Sequence, residues 1–159
     1  MKLLKTKSFF LPLIGLIVFF TSCNTGVIFD ENISVDEHGW YKNDLARFDV
    51  KIEDSVSVFN YYLNLRHSVD YRYSNLFVFM KTTYPNGNVS RDTIEFVLAD
   101  KSGKWFGKGW GKIKDNSILL VEGIKFPLTG SYTFQLQQAM RVDTLKGISD
   151  IGIRIEQSK

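Results

Sequence analysis

From Arg47 onward the apolar residues of this chain recur every second position, and that period decides which folds are open to it. Phe48, Val50 and Ile52 alternate with Arg47, Asp49, Lys51 and Glu53, and Phe59, Tyr61, Leu63 and Leu65 alternate with Asn60, Tyr62, Asn64 and Arg66. Successive side chains of a strand point to opposite faces, so this pattern marks strands with one face in a core and one in water. Leu76-Phe77-Val78-Phe79-Met80 is apolar throughout and predicts a central strand covered on both sides. Pro85-Asn86-Gly87-Asn88 follows as a hairpin signal, since Asn and Gly tolerate positive φ. Ile94, Phe96 and Leu98 resume the alternation. Further strands are predicted at 118–126, 131–137 and 151–156, and an edge strand near Val27-Ile28-Phe29. After the first twenty-two residues no window of ten or more shows a helical apolar stripe. Seven or eight strands at this spacing, with Gly, Pro, Asn and Asp between them, predict an all-β fold. The expected architecture is a single antiparallel β-sandwich, immunoglobulin-like or jelly-roll-like, over residues 45–159.

The N-terminus follows a different rule. Lys2, Lys5 and Lys7 precede a twelve-residue apolar run, Phe9 to Phe20, broken only by Pro12 and Gly15. That run is shorter than the ~20 residues of a spanning helix and fits a signal peptide. Phe20-Thr21-Ser22-Cys23 has the layout of a lipobox, in which a small residue precedes the cysteine at the cut. The expectation is cleavage between Ser22 and Cys23, with diacylglycerol on the Cys23 sulfur and an acyl chain on its new amino group. Residues 1–22 are then a lipoprotein signal peptide, and residues 23–44 a lipidated tether with an edge segment. Residues 24–29 lack an acidic or Lys-rich export tag, so the expected address is the outer membrane, facing the periplasm.

Removing the signal takes away three of the 20 Lys and Arg, which leaves 17 against 17 Asp and Glu. A neutral chain without a basic run lacks the electrostatic footprint of a nucleic-acid binder. Cys23 is the sole cysteine, so neither a disulfide framework nor a thiol nucleophile is expected. His67, Ser68 and Asp70 hold the residue types of a hydrolytic triad, but neighbours in sequence rarely acquire triad geometry. Nothing in the spacing of Asp92, Glu95, Asp100, Asp115, Asp143 and Asp150 singles out a glycosidase pair. No catalytic residue, cofactor or metal site is expected. The most unusual stretch is Gly103-Lys104-Trp105-Phe106-Gly107-Lys108-Gly109-Trp110-Gly111, which lacks the GK[ST] of a phosphate loop. Either its glycines permit a bulged turn whose aromatics cover the sandwich edge, or Trp105, Phe106 and Trp110 form a platform for a protein or a sugar. Gln135 and Gln137, on one outward strand face, are expected to share that interaction surface.

Several short motifs resemble one family. They are Tyr71 to Phe77, Tyr84-Pro85-Asn86-Gly87, Asp92-Thr93-Ile94-Glu95 and Leu98-Ala99-Asp100. Trp105, Gly107-Lys108-Gly109, Asp115-Asn116, Phe126-Pro127, Gln138-Ala139-Met140-Arg141, Gly147-Ile148 and Asp150 to Glu156 follow in order. Together they are similar to the gliding motility lipoproteins of the GldH family of the Bacteroidetes. The resemblance implies a non-enzymatic lipoprotein, membrane-bound through its lipid. It would work with other gliding motility lipoproteins and envelope proteins of an apparatus tied to type IX secretion. Cys23 is the one functional residue it carries over. The alternative is a carbohydrate-binding or carbohydrate-active envelope lipoprotein. The same presumed host implies O-glycosylation at D-[S/T]-aliphatic motifs, here at Ser55, Thr93 and Thr144, with Ser55 and Thr144 expected in loops and Thr93 in a strand.

Overall fold

The computed structural model describes residues 26–158. The expected signal peptide and the expected cleavage and lipid-attachment residues, Ser22 and Cys23, lie outside the described residues. Ten strands run in chain order: β1 (Val27–Ser34), β2 (Trp40–Tyr41), β3 (Ala46–Ile52), β4 (Phe59–Ser68) and β5 (Asn75–Thr83), then β6 (Val89–Val97), β7 (Ile113–Ile124), β8 (Gly130–Gln138), β9 (Thr144–Leu145) and β10 (Ile148–Gln157). Two four-stranded antiparallel sheets form the sandwich, ordered β1-β10-β4-β7 and β3-β8-β5-β6. A third, two-stranded ribbon pairs β2 with β9.

The alternation read from the sequence is the alternation of burial. On β3 the order is buried at Ala46, Phe48, Val50 and Ile52 and exposed between them. β4 and β8 repeat it with Phe59, Tyr61, Leu63 and Leu65, and with Tyr132, Phe134 and Leu136. Ile151, Ile153 and Ile155 of β10 close the core from the first sheet, and Leu76, Val78 and Phe96 from the second. Each such side chain contributes about 1.5–3 kcal/mol by leaving water. Tyr132, buried, keeps its hydroxyl satisfied by donating to the Leu128 carbonyl at 2.9 Å and accepting from the Leu128 amide at 3.2 Å. The hairpin also forms as its residues dictate. Gly87 takes φ +83° and donates to the Tyr84 carbonyl at 2.9 Å, and β5 and β6 pair on either side of it.

Three expectations change. The edge strand is not three residues but eight, because Asp30, Glu31 and Asn32, polar enough to look like a turn, pair with Arg154, Ile153 and Gly152 of β10. β5 is not covered on both sides: Leu76 and Val78 face the core, while Phe79 is 48 % exposed on the outer face. A sandwich has only two layers, so the outer face of each sheet meets solvent. Thr144, expected in a loop, lies in β9 opposite Tyr41.

Register fixes which loops share an end. Val27, Phe59, Ile124 and Gln157 lie at one end of the first sheet; Ser34, Ser68, Ile113 and Ile148 lie at the other. The long β6–β7 connection, with the unusual Gly- and Trp-rich stretch, crosses between sheets at this second end, beside His67 and Ser68.

Candidate interaction site

The β6–β7 connection is built by a run of local devices. It opens with a tight turn capped by Asp100, whose Oδ1 accepts from the Ser102 hydroxyl at 2.6 Å, the Ser102 amide at 2.8 Å and the Lys104 amide at 3.0 Å. The Ser102 hydroxyl, then the Lys104 amide, holds that carboxyl below the usual range. Gly103, at φ +84°, completes the turn. Trp105 then pairs with Ala99 and drops its ring against His67, with centroids 4.7 Å apart, and against Tyr71 at 6.4 Å.

His67 is wholly buried under that ring. Its Nδ1 lies 2.9 Å from the Ser68 carbonyl oxygen, an acceptor, so Nδ1 carries the proton and donates. Nε2 has no partner among the described residues. Burial pushes the imidazole below its ordinary pKa and keeps it neutral. The Ser68 hydroxyl accepts from the Asp70 amide at 3.0 Å rather than meeting the imidazole. The three residues do not assemble as nucleophile, base and orienter.

Beyond Trp105 the chain turns outward. Lys108 and Asp115 exchange two backbone hydrogen bonds at 2.8 and 2.7 Å, so residues 106–108 run beside β7. Gly109 has φ +138°, and a Cβ there would sit 2.5 Å from the Ile113 carbonyl oxygen. The Lys114 ammonium donates to the Gly109 carbonyl at 3.2 Å. On this braced turn Trp110 stands 98 % exposed. A large exposed aromatic on a braced backbone has the properties of an interface anchor, because its ring has apolar area to bury and its turn has little backbone entropy to lose on binding.

A family model described as GldH lipoprotein matches residues 27–155. The chain belongs to the GldH lipoprotein family. It is 38 % identical over 149 residues to a protein named gliding motility lipoprotein GldH homolog from Christiangramia forsetii, covering 89 % of this chain and 91 % of that one. It is 34 % identical over 161 residues to the gliding motility lipoprotein GldH of Flavobacterium johnsoniae, covering 97 % and 99 %. This member of the GldH family is thus a gliding motility lipoprotein.

Within this GldH-family chain the expected site residues separate onto three surfaces. Trp105 is partly buried in the core and Trp110 is free, so the two tryptophans form no common platform. Phe106, 60 % exposed, faces a groove on the outer side of the first sheet. Gln135 and Gln137 lie on the outer side of the second sheet, across the sandwich from it, in a smaller groove with Phe79 and Thr93. The single surface expected from the sequence is therefore split by the fold. Near the glutamines Lys81 and Arg91 face each other in register, and neither has an ion pair among the described residues. Of the modification candidates, Thr93 and Thr144 are exposed and Ser55 is half-buried.

Sequence reasoning missed the larger groove, of about 680 Å³, which takes in Asn32, Asn64, Arg66, Ser117 and Asp150 as well as Phe106. These residues come from four strands far apart in the chain. Arg66 donates to Asp115 at 2.6 Å and lies 3.5 Å from Asp150, so two carboxylates that nothing in their spacing paired share one guanidinium. The hydrogen bond it donates to Asp115, then the charge of Asp115 and that of Asp150, strengthens the hold of Arg66 on its proton. No group of three or more His, Cys, Asp or Glu among the described residues is placed to hold a metal ion.

Proposed function

We propose that this chain is a non-enzymatic, lipid-anchored component of the gliding machinery that engages other envelope proteins through the Trp110 turn. The observation that carries it is a tryptophan 98 % exposed at the tip of a connection otherwise pinned by backbone hydrogen bonds. The short link between Cys23 and the start of β1 supports it. Four Cα steps separate Cys23 from Val27, a reach of about 15 Å at most. An anchor on Cys23 therefore holds the Val27 end of the sandwich close to the bilayer. The ten residues of β4 span about 33 Å. The Trp110 turn, at the opposite end, is carried away from the lipid and toward proteins of the surrounding envelope. On this proposal the anchor membrane is the outer membrane, the domain faces the periplasm, and the partners belong to the gliding apparatus and its type IX secretion machinery.

The test is Trp110→Ala in the native host. A side chain this exposed leaves the core untouched, so the melting temperature should move by no more than about 2 °C, within the ±0.5 kcal/mol usual for surface changes. Spreading over agar and co-purification of gliding proteins with the tagged lipoprotein should both be lost. Full motility with normal co-purification would refute the assignment. Protease added to intact cells should leave the domain uncut if it faces the periplasm.

A further inference from the structure

The outer face of the first sheet is a set of cross-strand rows, and one row has a hole in it. Register aligns Ser34, Asp150, Arg66 and Asp115 in one row and Asn32, Gly152, Asn64 and Ser117 in the next. Lys108 pairs with Asp115, which carries Phe106, two residues earlier, into line with Ser117. The second row therefore runs from a free amide, across a glycine, to an exposed aromatic ring. Gly152 sits in the middle of a central strand, where a glycine weakens the sheet. Its φ is not positive, so no turn requires it. Space does: a Cβ there would fall 2.1 Å from Asn32 Oδ1 and 2.4 Å from the Glu31 carbonyl oxygen. Gly107, also without positive φ, leaves room at the other end, where a Cβ would meet the Asn116 side chain at 2.8 Å.

The polar groups of this groove have spare hydrogen-bonding capacity and no net charge. Its ionisable lining residues are Arg66, Lys108, Asp115 and Asp150, two cations and two anions. Arg66 is already held between the carboxylates, and Asp150 also accepts from the Ser34 hydroxyl at 2.9 Å. Asn64 donates one amide hydrogen to Asp30 at 3.0 Å and accepts from the Ser117 hydroxyl at 3.1 Å, which leaves its second N–H free. The exposed Asn32 amide, spread across Gly152, has no partner among the described residues. A ligand that satisfies this groove is uncharged, offers both donors and acceptors along one edge, and presents a C–H face to a phenyl ring. The volume lies within the range of small-ligand sites.

We propose that this groove binds a short neutral glycan, with the Asn32 and Asn64 amides on its hydroxyls and Phe106 against a sugar face. The site is separate from the Trp110 turn and does not depend on the role given to that turn.

The purified lipidated protein in detergent, titrated calorimetrically with cellotriose, maltotriose and N-acetylchitotriose, tests it, with trigalacturonate as the anionic control. At least one neutral trisaccharide should bind, and trigalacturonate should not. Asn32→Ala and Phe106→Ala, both at exposed positions, should each weaken that binding at least tenfold without changing the melting temperature. Gly152→Ala should abolish it by displacing the Asn32 side chain and the Glu31 carbonyl beside it; Asn32→Ala keeps the test valid if that variant does not fold. Absence of binding by all three neutral sugars at millimolar concentration would overturn the proposal. So would undiminished binding by both Asn32→Ala and Phe106→Ala, or tighter binding of trigalacturonate than of every neutral sugar.

Discussion

Replacing Trp105 with alanine separates the two tryptophans and exposes a buried titration at the same time. Full truncation of a buried tryptophan costs about 3–5 kcal/mol. Trp105 is only partly buried, so about 2–3 kcal/mol is expected, or roughly 8–12 °C for a domain of this size. The ring it loses is the one that covers His67 at 4.7 Å. In the intact protein burial, the largest effect on His67, lowers its pKa from 6.5. The unfolded chain therefore takes up a proton below pH 6.5 that the folded chain refuses. Stability should fall as the pH drops from 6.5 toward 5, with a slope of at most about 1.4 kcal/mol per pH unit. In Trp105→Ala, water reaches the imidazole, its folded pKa returns toward 6.5, and the slope flattens. Urea unfolding at half-unit steps from pH 5 to 7.5 measures both effects. A His38→Ala background removes the only other histidine. The window stops at pH 5 because carboxyls held low, such as Asp49 beside Arg47, lose their stabilising contribution only in more acid solution. A variant less than 1 kcal/mol weaker at pH 7.5, or one with the same pH slope as the parent, would refute the packing of Trp105 over His67.

Three other perturbations follow from single contacts. Gly109→Ala places a Cβ against the Ile113 carbonyl at φ +138° and should cost about 1–3 kcal/mol; hydrogen exchange at the Lys108 and Asp115 amides should speed up while β4 and β10 stay protected, and unchanged exchange there would contradict the braced turn. Lys81→Glu turns a like-charged cross-strand pair with Arg91 into an opposite one, so thermal unfolding should shift upward by about 0.3–1 kcal/mol, and a downward shift would mean the two cations are not close. If the exposed Thr144 is glycosylated, the intact mass of the lipoprotein from its own host should exceed that of the lipidated chain and drop by the glycan in Thr144→Ala; equal masses would dispose of that modification, and the same measurement applies to Ser55 and Thr93.

The strands were legible because burial in a two-layer fold is a local, period-two signal, and β3, β4 and β8 carry it without interruption. Pairing was not legible. Only β5 and β6 are joined as a hairpin; β10 lies between β1 and β4, and β8 between β3 and β5. Nearly every connection crosses the sandwich, and nothing in adjacent residues encodes such partners. The errors have the same origin. The edge strand was expected to stop at Phe29 because Asp30, Glu31 and Asn32 are polar and their ladder to β10 is invisible from 120 residues away. For Trp105 and Trp110 the sequence left both readings open, because both sit among glycines and composition cannot tell which ring turns inward toward a histidine 38 positions earlier.

The groove escaped for a related reason, yet it left a trace. Along β10 the outward positions are Asp150, Gly152, Arg154 and Glu156, set between the core residues Ile151, Ile153 and Ile155. An outward glycine flanked by β-branched core residues is an anomaly. It gives up packing and backbone entropy in a strand that needs neither a bend nor a positive φ at that point. Such a residue is explained by what occupies the space above it, and here that is the Glu31 carbonyl oxygen together with the Asn32 side chain, both from the neighbouring strand. In the sequence Gly152 is a glycine out of place; the register β1-β10-β4-β7 shows that the neighbouring strand's carbonyl and the Asn32 amide lie over it, and that a second amide and a ring lie along the same row.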